Sequence, residues 1–296
     1  MSVKKILSLL LVCLFIFAAS GCGNSVTASQ VDTDAVKSAL DKFYACKSFT
    51  ATRVTEYEEV ITVENEKQTY TASSEMELIL ITQPQAQMMT GNYVKMENNG
   101  DAFEQVNCSY IVPESGGYTE YYFDGTDWYT VSTDDGAALE GIGANIVTAS
   151  YFVDQLSFGK VGEVNLESGK ASRYDGILSG EALVEMLEAS GQLSDIATMS
   201  ENQQQKIKSN LVKDLDQVTV SVWVDQASGY PVRFELSLNN ILADLEKSIS
   251  KSLGNKDNSD WDITKYVICT DVKDFDAVSE IVLPPDASSA TALELE

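Results

Sequence analysis

The chain has 296 residues, with 20 lysines and arginines against 45 aspartates and glutamates and a formal net charge of −25 at pH 7. A surface this acidic repels phosphate backbones, so nucleic acid is not an expected partner. Histidine is absent from the whole sequence, which excludes Ser/His/Asp and Cys/His nucleophilic machinery and every histidine-ligated metal site.

The N-terminus reads MSVKKILSLLLVCLFIFAASGCGNS, with Lys4 and Lys5, an apolar run, and small residues before Cys22. That is the pattern of an export signal, not of a helix belonging to the fold. Ala19, Ser20 and Gly21 resemble a bacterial lipobox, which implies cleavage ahead of Cys22 and lipid modification of Cys22 itself. An ordinary cleaved signal and an uncleaved anchor are the alternatives. Several acyl chains on one cysteine anchor a protein durably where a single chain holds it only marginally. Residues 1–21 therefore read as signal peptide, and residues 22–31, polar and short, as a lipidated tether. A domain over residues 32–285 follows, and residues 286–296 read as a flexible tail. Beyond Cys13 and Cys22 only Cys46, Cys108 and Cys269 remain. Any two of them can pair in an exported domain, and three buried thiols fit the sequence equally well.

Asp32 or Thr33 can cap a first helix whose Val36, Leu40, Phe43 and Tyr44 share one face. From Phe49 to Met96 the pattern changes to long strand-like runs separated by Pro84, with Met76, Leu78 and Leu80 alternating against Glu75 and Glu77. Asp124 and Gly125 mark a hairpin turn between Tyr121-Tyr122-Phe123 and Trp128-Tyr129. Residues 137–158 place Leu139, Ile142, Ile146, Val153 and Leu156 near helical spacing, interrupted by Gly141 and Gly143, as a mobile lid would be. After the strand-like ASRYDGILS, Ser179 can cap a helix carrying Leu183, Met186 and Leu187, which Gly191 can end. Ser200 with Gln203 reads as a capping box for a helix with Ile207 and Leu211 on its apolar edge.

The next stretch, VTVSVWVDQASGYPVRFELSL, is a hairpin with Gly229 in its loop and Pro231 opening the returning strand. Val218, Val220, Val222 and Val224 alternate with Thr219, Ser221, Trp223 and Asp225. Pairing Val222 with Val232 places Val220 opposite Phe234 and Val218 opposite Leu236, with Ser221 and Arg233 on the other face. Fully burying one such apolar side chain is worth about 1.5–3 kcal/mol, so helices or an apolar ligand must cover this row. Leu242, Leu245, Ile249 and Leu253 form a further helical stripe, and Tyr266, Ile268, Thr270 and Val272 alternate as a late strand. The order favours an α+β domain with helices gathered on one face of an antiparallel sheet.

Four stretches, YYFDGTDWYTV, GKASRYDGILSGEAL, VTVSVWVDQASGYPVRFEL and YVICTDVKDFDAVSEIVLPPDA, resemble the LolA-like group of bacterial lipid-handling lipoproteins and carriers, including the LppX and LprG relatives. The resemblance implies a strongly curved antiparallel β-sheet, a half-barrel, with helices covering the concave face and room for a lipid. The segment from Asn239 to Asp260 departs from it as an apparent insertion. Met76, Leu78, Leu80, Met88, Val220, Val222, Phe234 and Leu236 are the expected pocket-wall residues, with ordinary core as the competing reading of the same alternation. Met89 joins Met76 and Met88 as a flexible thioether suited to varied apolar ligands.

Acids are the only raw material for catalysis: Asp124 with Asp127, Asp134 with Asp135, and Asp260 with Asp262. All sit in turn-like segments, where aspartate serves backbone hydrogen bonding. NKDNSDWD crowds oxygen ligands but lacks the glycine and distal glutamate of an EF-hand loop. The expectation is thus a non-enzymatic lipoprotein without cofactor or metal. It is extracytoplasmic and lipid-anchored to the membrane through Cys22, in a Gram-positive bacterium, and binds a lipid or other amphiphile. The alternative is a cell-envelope interaction or structural module whose hollow is filled by its own helices.

Overall fold

The computed structural model describes residues 32–63, 66–96, 102–114, 117–133, 156–189, 192–197, 199–239, 241–253 and 261–293. Cys22 with its signal and tether, Leu139, Ile142, Ile146 and Val153, Asp134 and Asp135, Gly191, and Asp260 with most of the NKDNSDWD loop lie outside the described residues.

The first helix, α1 (Thr33–Ala45), buries Val36, Ala39, Leu40 and Phe43, with Asp34 in its first turn and Lys42 in its last, each favourable to the helix dipole. Asp32 is its N-cap residue but makes no capping bond through its side chain. The Thr33 hydroxyl instead accepts from the Phe158 amide at 3.0 Å, tying the helix start to a strand distant in sequence. Strands β1 (Ser48–Val63), β2 (Glu66–Thr82), β3 (Gln85–Met96), β4 (Ala102–Glu114), β5 (Gly117–Phe123) and β6 (Trp128–Thr133) follow as a meander. Next come β7 (Phe158–Leu166), β8 (Gly169–Leu178), α2 (Gly180–Ala189), the one-turn α3 (Ser194–Ala197) and α4 (Glu201–Asp214). The expected capping box opens α4: the Ser200 amide and hydroxyl both donate to Gln203 Oε1, at 3.3 and 2.7 Å. The hairpin β9 (Val218–Asp225) and β10 (Pro231–Ser237), α5 (Ile241–Ser252) and β11 (Trp261–Lys273) complete the domain.

All the described strands join one 12-stranded sheet in the order β12-β6-β5-β4-β3-β2-β1-β11-β10-β9-β8-β7, where β12 is Thr291–Ala292. Only the β12–β6 pairing is parallel among the described ladders. The sheet has two ends and does not close, and its helices gather on one face. This is the open, curved α+β half-barrel that the strand and helix order calls for. Helix α1 packs on β7, β9 and β10, α5 packs on β11, and α4 lies between α2 and α5. A single core cluster joins them, with Phe43 at its centre, 5.0 Å from the Phe49 ring and 5.8 Å from the Phe234 ring. The segment read as an insertion, Asn239 to Asp260, thus supplies a helix of this layer, with Ile241, Leu242 and Leu245 buried.

Two local expectations differ from the structure. In the β9–β10 hairpin, Gly229 sits at φ 71° as its loop requires, but a bulge between Pro231 and Arg233 absorbs one residue. Phe234 therefore stands opposite Val222 and Leu236 opposite Val220, while Arg233 faces Trp223. Val232 is turned to the other side, where it packs with Ala171 and Trp223. The stretch read as a flexible tail also begins with order: a 3₁₀ turn at Pro285–Ser289 buries Ala287, and Thr291–Ala292 lie along β6, with the Leu293 amide donating to Thr130 O at 2.8 Å. Composition was a poor guide there because small residues fit a tight turn as readily as a loose end.

Candidate ligand-binding face

Residues opposite one another on paired strands point to the same face, so register sorts the side chains into rows. One inner row crosses eight strands as Tyr174, Val222, Phe234, Thr270, Arg53, Met76, Gly91 and Asn107. The neighbouring row runs Gly176, Val220, Leu236, Ile268, Thr55, Ser74, Tyr93 and Gln105. A third carries Val272, Ala51, Leu78, Met89 and Ser109, and a fourth Phe49, Leu80, Gln87 and Ile111.

Seven of the eight expected wall residues share this inner face: Met76, Leu78, Leu80, Val220, Val222, Phe234 and Leu236. Met88 does not. It pairs with Ile79 and Tyr110 on the opposite side, and its neighbour Met89 takes the inner place. Two adjacent methionines in a strand cannot share a face, and the phase of β2 decides which one turns inward.

The two halves of the inner face differ. Over β7 to β11 the helices supply the cover, and Val222 at 0% exposure and Val218 at 1% belong to the helix-built cluster. Toward β2–β4, Leu80 and Met89 are only half-buried, and Met76 and Ile111, each 1% exposed, belong to neither core cluster. Met76 leans over Gly91, where an added Cβ would lie 2.8 Å from Met76 Cγ and 2.2 Å from the Glu75 carbonyl oxygen. Glycine is required there by close approach of the neighbouring strand.

Sequence reasoning missed the most unusual member of this face. Arg53 lies in the phase of Phe49, Ala51, Thr55 and Tyr57, between Thr270 and Met76, and is buried. Burial pushes its guanidinium down to about 10, with the Tyr266 phenol acting the other way. The signal was legible: TATRVTEYE places a cation in the inward phase of the strand. Ser74, Gln87, Ser109 and Thr270 are further buried polar residues on the same face.

Two clefts lie elsewhere, in the helix layer. One of about 230 Å³ is lined by Gln203, Lys206, Ile207, Ser252 and Leu253, and one of about 320 Å³ by Asp214, Asp244, Lys247, Ser248 and Lys251. Neither touches the inner rows.

The acids have structural employment. Asp124 Oδ1 accepts from the Thr126 and Asp127 amides at 2.8 and 2.9 Å, and these bonds hold its carboxyl below the usual range. Asp262 is exposed and accepts from Lys247 at 3.3 Å. Among the described residues no three acids or cysteines converge as metal ligands, and no helix is long and apolar enough to cross a membrane. Cys46, Cys108 and Cys269 are all free thiols. Burial pushes Cys269 up to about 12 and Cys46 up to about 11.

No family model matches the chain, and no curated protein matches it. Among solved structures, the chain is similar to LprF from Mycobacterium bovis. The identity is 12% and the TM-score 0.42, over 85% of this chain and 96% of that one. It is also similar to a DUF1329 family protein from Desulfovibrio piger, with 9% identity and a TM-score of 0.21 over 84% and 93% of the two chains. A third is a beta-barrel-like protein of domain of unknown function DUF1849 from Brucella abortus, with 7% identity and a TM-score of 0.17 over 76% and 98%. The fold assignment rests on strand order and register themselves.

Proposed function

We propose that the chain is a non-enzymatic lipoprotein, tethered to the outer side of a cell membrane through a lipidated Cys22, that holds a lipid or other amphiphile against the inner face of its sheet. The observation that carries this reading is the division of that face. Described helices pack on β7, β9, β10 and β11, while on β2–β4 Leu80 and Met89 are only half-buried at the edge of the core cluster, beside Met76 and Ile111, which lie outside it. Removing an acyl chain and this surface from water together supplies the driving force, at about 25 cal/mol per Å² of apolar area. Of the expected wall residues, Leu78, Val220, Val222 and Phe234 belong to the core cluster that the helices join, Leu80 and Leu236 are partly buried against it, and Met76 lies outside it.

The competing reading, an envelope interaction module with a helix-filled hollow, draws support from the β7–β11 half, where α1 and α5 already occupy the face. The two readings separate in one binding experiment. The full chain in phosphatidylcholine nanodiscs is titrated with cis-parinaric acid, whose emission rises on leaving water, against empty nanodiscs as blank. Saturable binding, displaced by unlabelled palmitate, is the outcome expected of an amphiphile carrier. Emission that only tracks the nanodisc blank rejects it in favour of the helix-filled module.

A further inference from the structure

The described sheet ends on one side in β7 and on the other in β6, with β12 beside it. An edge strand presents unpaired backbone groups that recruit further strands, and charges, bulges or a covering segment are the usual defences. On β7 all three are present. Lys160 and Glu163 put charges along it, and a bulge lies between Lys160 and Gly162. The start of α1 covers Phe158, whose carbonyl accepts from the Asp32 amide at 2.8 Å and whose amide donates to Thr33 Oγ1 at 3.0 Å. On β6 two of the three are missing. Its six residues, WYTVST, include no charge, proline or glycine, and its ladder with β5 runs without a bulge. Aromatic and β-branched residues in such an uncharged run favour pairing with another strand.

The cover on β6 is short. Among the described ladders β12 pairs only with Tyr129 and Thr130, in parallel, and both of its residues are exposed. The Thr130 carbonyl accepts from the Leu293 amide at 2.8 Å, so the backbone groups of Thr130 face the edge. By alternation along the strand those of Trp128 and Ser132 face it too. The seat is therefore longer than the strand that sits in it. We propose that β12 is a guard strand over a strand-accepting edge, and that the occupant this edge takes when β12 lifts is the β6 of a second copy of the chain, antiparallel about a two-fold axis. Centred on Thr130, that pairing exchanges both backbone bonds between the two threonines and sets Trp128 opposite Ser132 on either side. No charged side chain of β6 then stands in the seam. The net charge of −25 on each chain opposes the approach of two copies, and salt screens that repulsion. The device is independent of what the inner face holds.

The test compares the full chain in detergent with a variant ending at Ala290, by sedimentation velocity over a concentration series and by hydrogen exchange of the β6 peptide read by mass spectrometry. The shortened chain is expected to exchange faster in β6 when dilute and to regain protection as it dimerises. Its self-association is expected to be at least about tenfold tighter than that of the wild type, because no backbone bonds to β12 have to be given up first. Added salt tightens it further. In the shortened chain, Thr130→Lys sets two ammonium groups opposite each other and abolishes the dimer, whereas Thr130→Val keeps it. A shortened chain that stays monomeric at every concentration overturns the proposal. So does a wild type that dimerises as tightly, or a dimer that Thr130→Lys leaves undiminished. If the shortened chain shows no cooperative urea transition, its fold is lost and Leu293→Pro in the complete chain decides, since it removes the donor to Thr130. No gain in association there overturns the proposal.

Discussion

The Arg173 guanidinium lies over the Trp223 ring, 5.0 Å from its centre. Arg233 approaches the same ring at 5.9 Å from the neighbouring strand, so the indole on the outer face is held between two cations. Each arginine is fixed by an acid: Arg173 donates to Asp175 at 2.8 and 3.1 Å, and Arg233 to Asp271 at 2.5 and 2.7 Å. Arg173 also donates to Ser221 Oγ at 3.1 Å. Trp223 is therefore 6% exposed on the face turned away from the described helices, packed beside Ala171 and Val232 and covered by the stems and heads of polar residues.

From this arrangement, Trp223→Ala is expected to lower the unfolding free energy by about 3–5 kcal/mol, as for a fully packed aromatic. Replacing Arg173 and Arg233 by methionine one at a time should each cost about 0.5–2 kcal/mol. In the Trp223→Ala background most of that loss should disappear, because the arginines then have no ring to cover. Urea denaturation of two four-member mutant cycles, one for each arginine with Trp223, measures the couplings.

Gly176 faces the ring of Phe158, and an added Cβ would lie 2.8 Å from Phe158 Cε1 and 3.0 Å from Cζ. Phe158 is 1% exposed and cannot swing aside. Gly176→Ala should therefore destabilise the fold by about 1–3 kcal/mol. Gly162→Ala is the control: nothing lies within 4 Å of its Cβ, and thermal denaturation should show little change.

The sheet was legible in the sequence because alternation over long strands leaves one assignment of faces. Val218 to Val224 read as an inner row, and they form one. The register of their partners was not legible, because a bulge adds one residue without altering composition, and Pro231 marks where a bulge is tolerated but not whether one forms. Met88 failed for a related reason: in QMMTG either methionine can be the inward one until the pairing with β2 is known. Trp223 was assigned correctly to the outer face, but its burial was hidden, because two arginines from neighbouring strands cover it only after the sheet has formed. Arg53 shows the opposite case, a residue whose phase was readable and whose charge made the inward assignment easy to pass over.

Glu163 accepts from Lys170 at 2.5 Å, and this bond, with one from Gln226, holds its carboxyl down to about 2 from an ordinary 4.5. A carboxyl lowered on folding stabilises the fold above its ordinary range, and that contribution is lost as pH falls from 4.5 through about 2. Carbon-detected NMR should place the Glu163 midpoint near 2, and Lys170→Ala should bring it back toward the ordinary value. A midpoint unmoved by that substitution would show that Lys170 is not the cause.

Cys269, pushed up to about 12, and Cys46, pushed up to about 11, carry little thiolate near neutrality and are buried. Iodoacetamide at about pH 8 should leave both unmodified in the folded chain and modify both in urea. Mass spectrometry of tryptic peptides reads the difference. Equal rates in the two conditions would contradict the burial described for β11 and for the end of α1.

The amphiphile itself is the most direct measurement. The full chain, purified from its native cells in detergent, is extracted with chloroform and methanol, and the extract is quantified by mass spectrometry per mole of protein against a detergent-only blank. Any acyl groups that Cys22 carries covalently, as proposed, stay with the protein, so what is extracted reports the non-covalent ligand alone. A lipid or other amphiphile at close to one molecule per chain is the expected result. An extract no richer than the blank in repeated preparations contradicts a carrier and leaves a sheet whose inner face serves only its own helices.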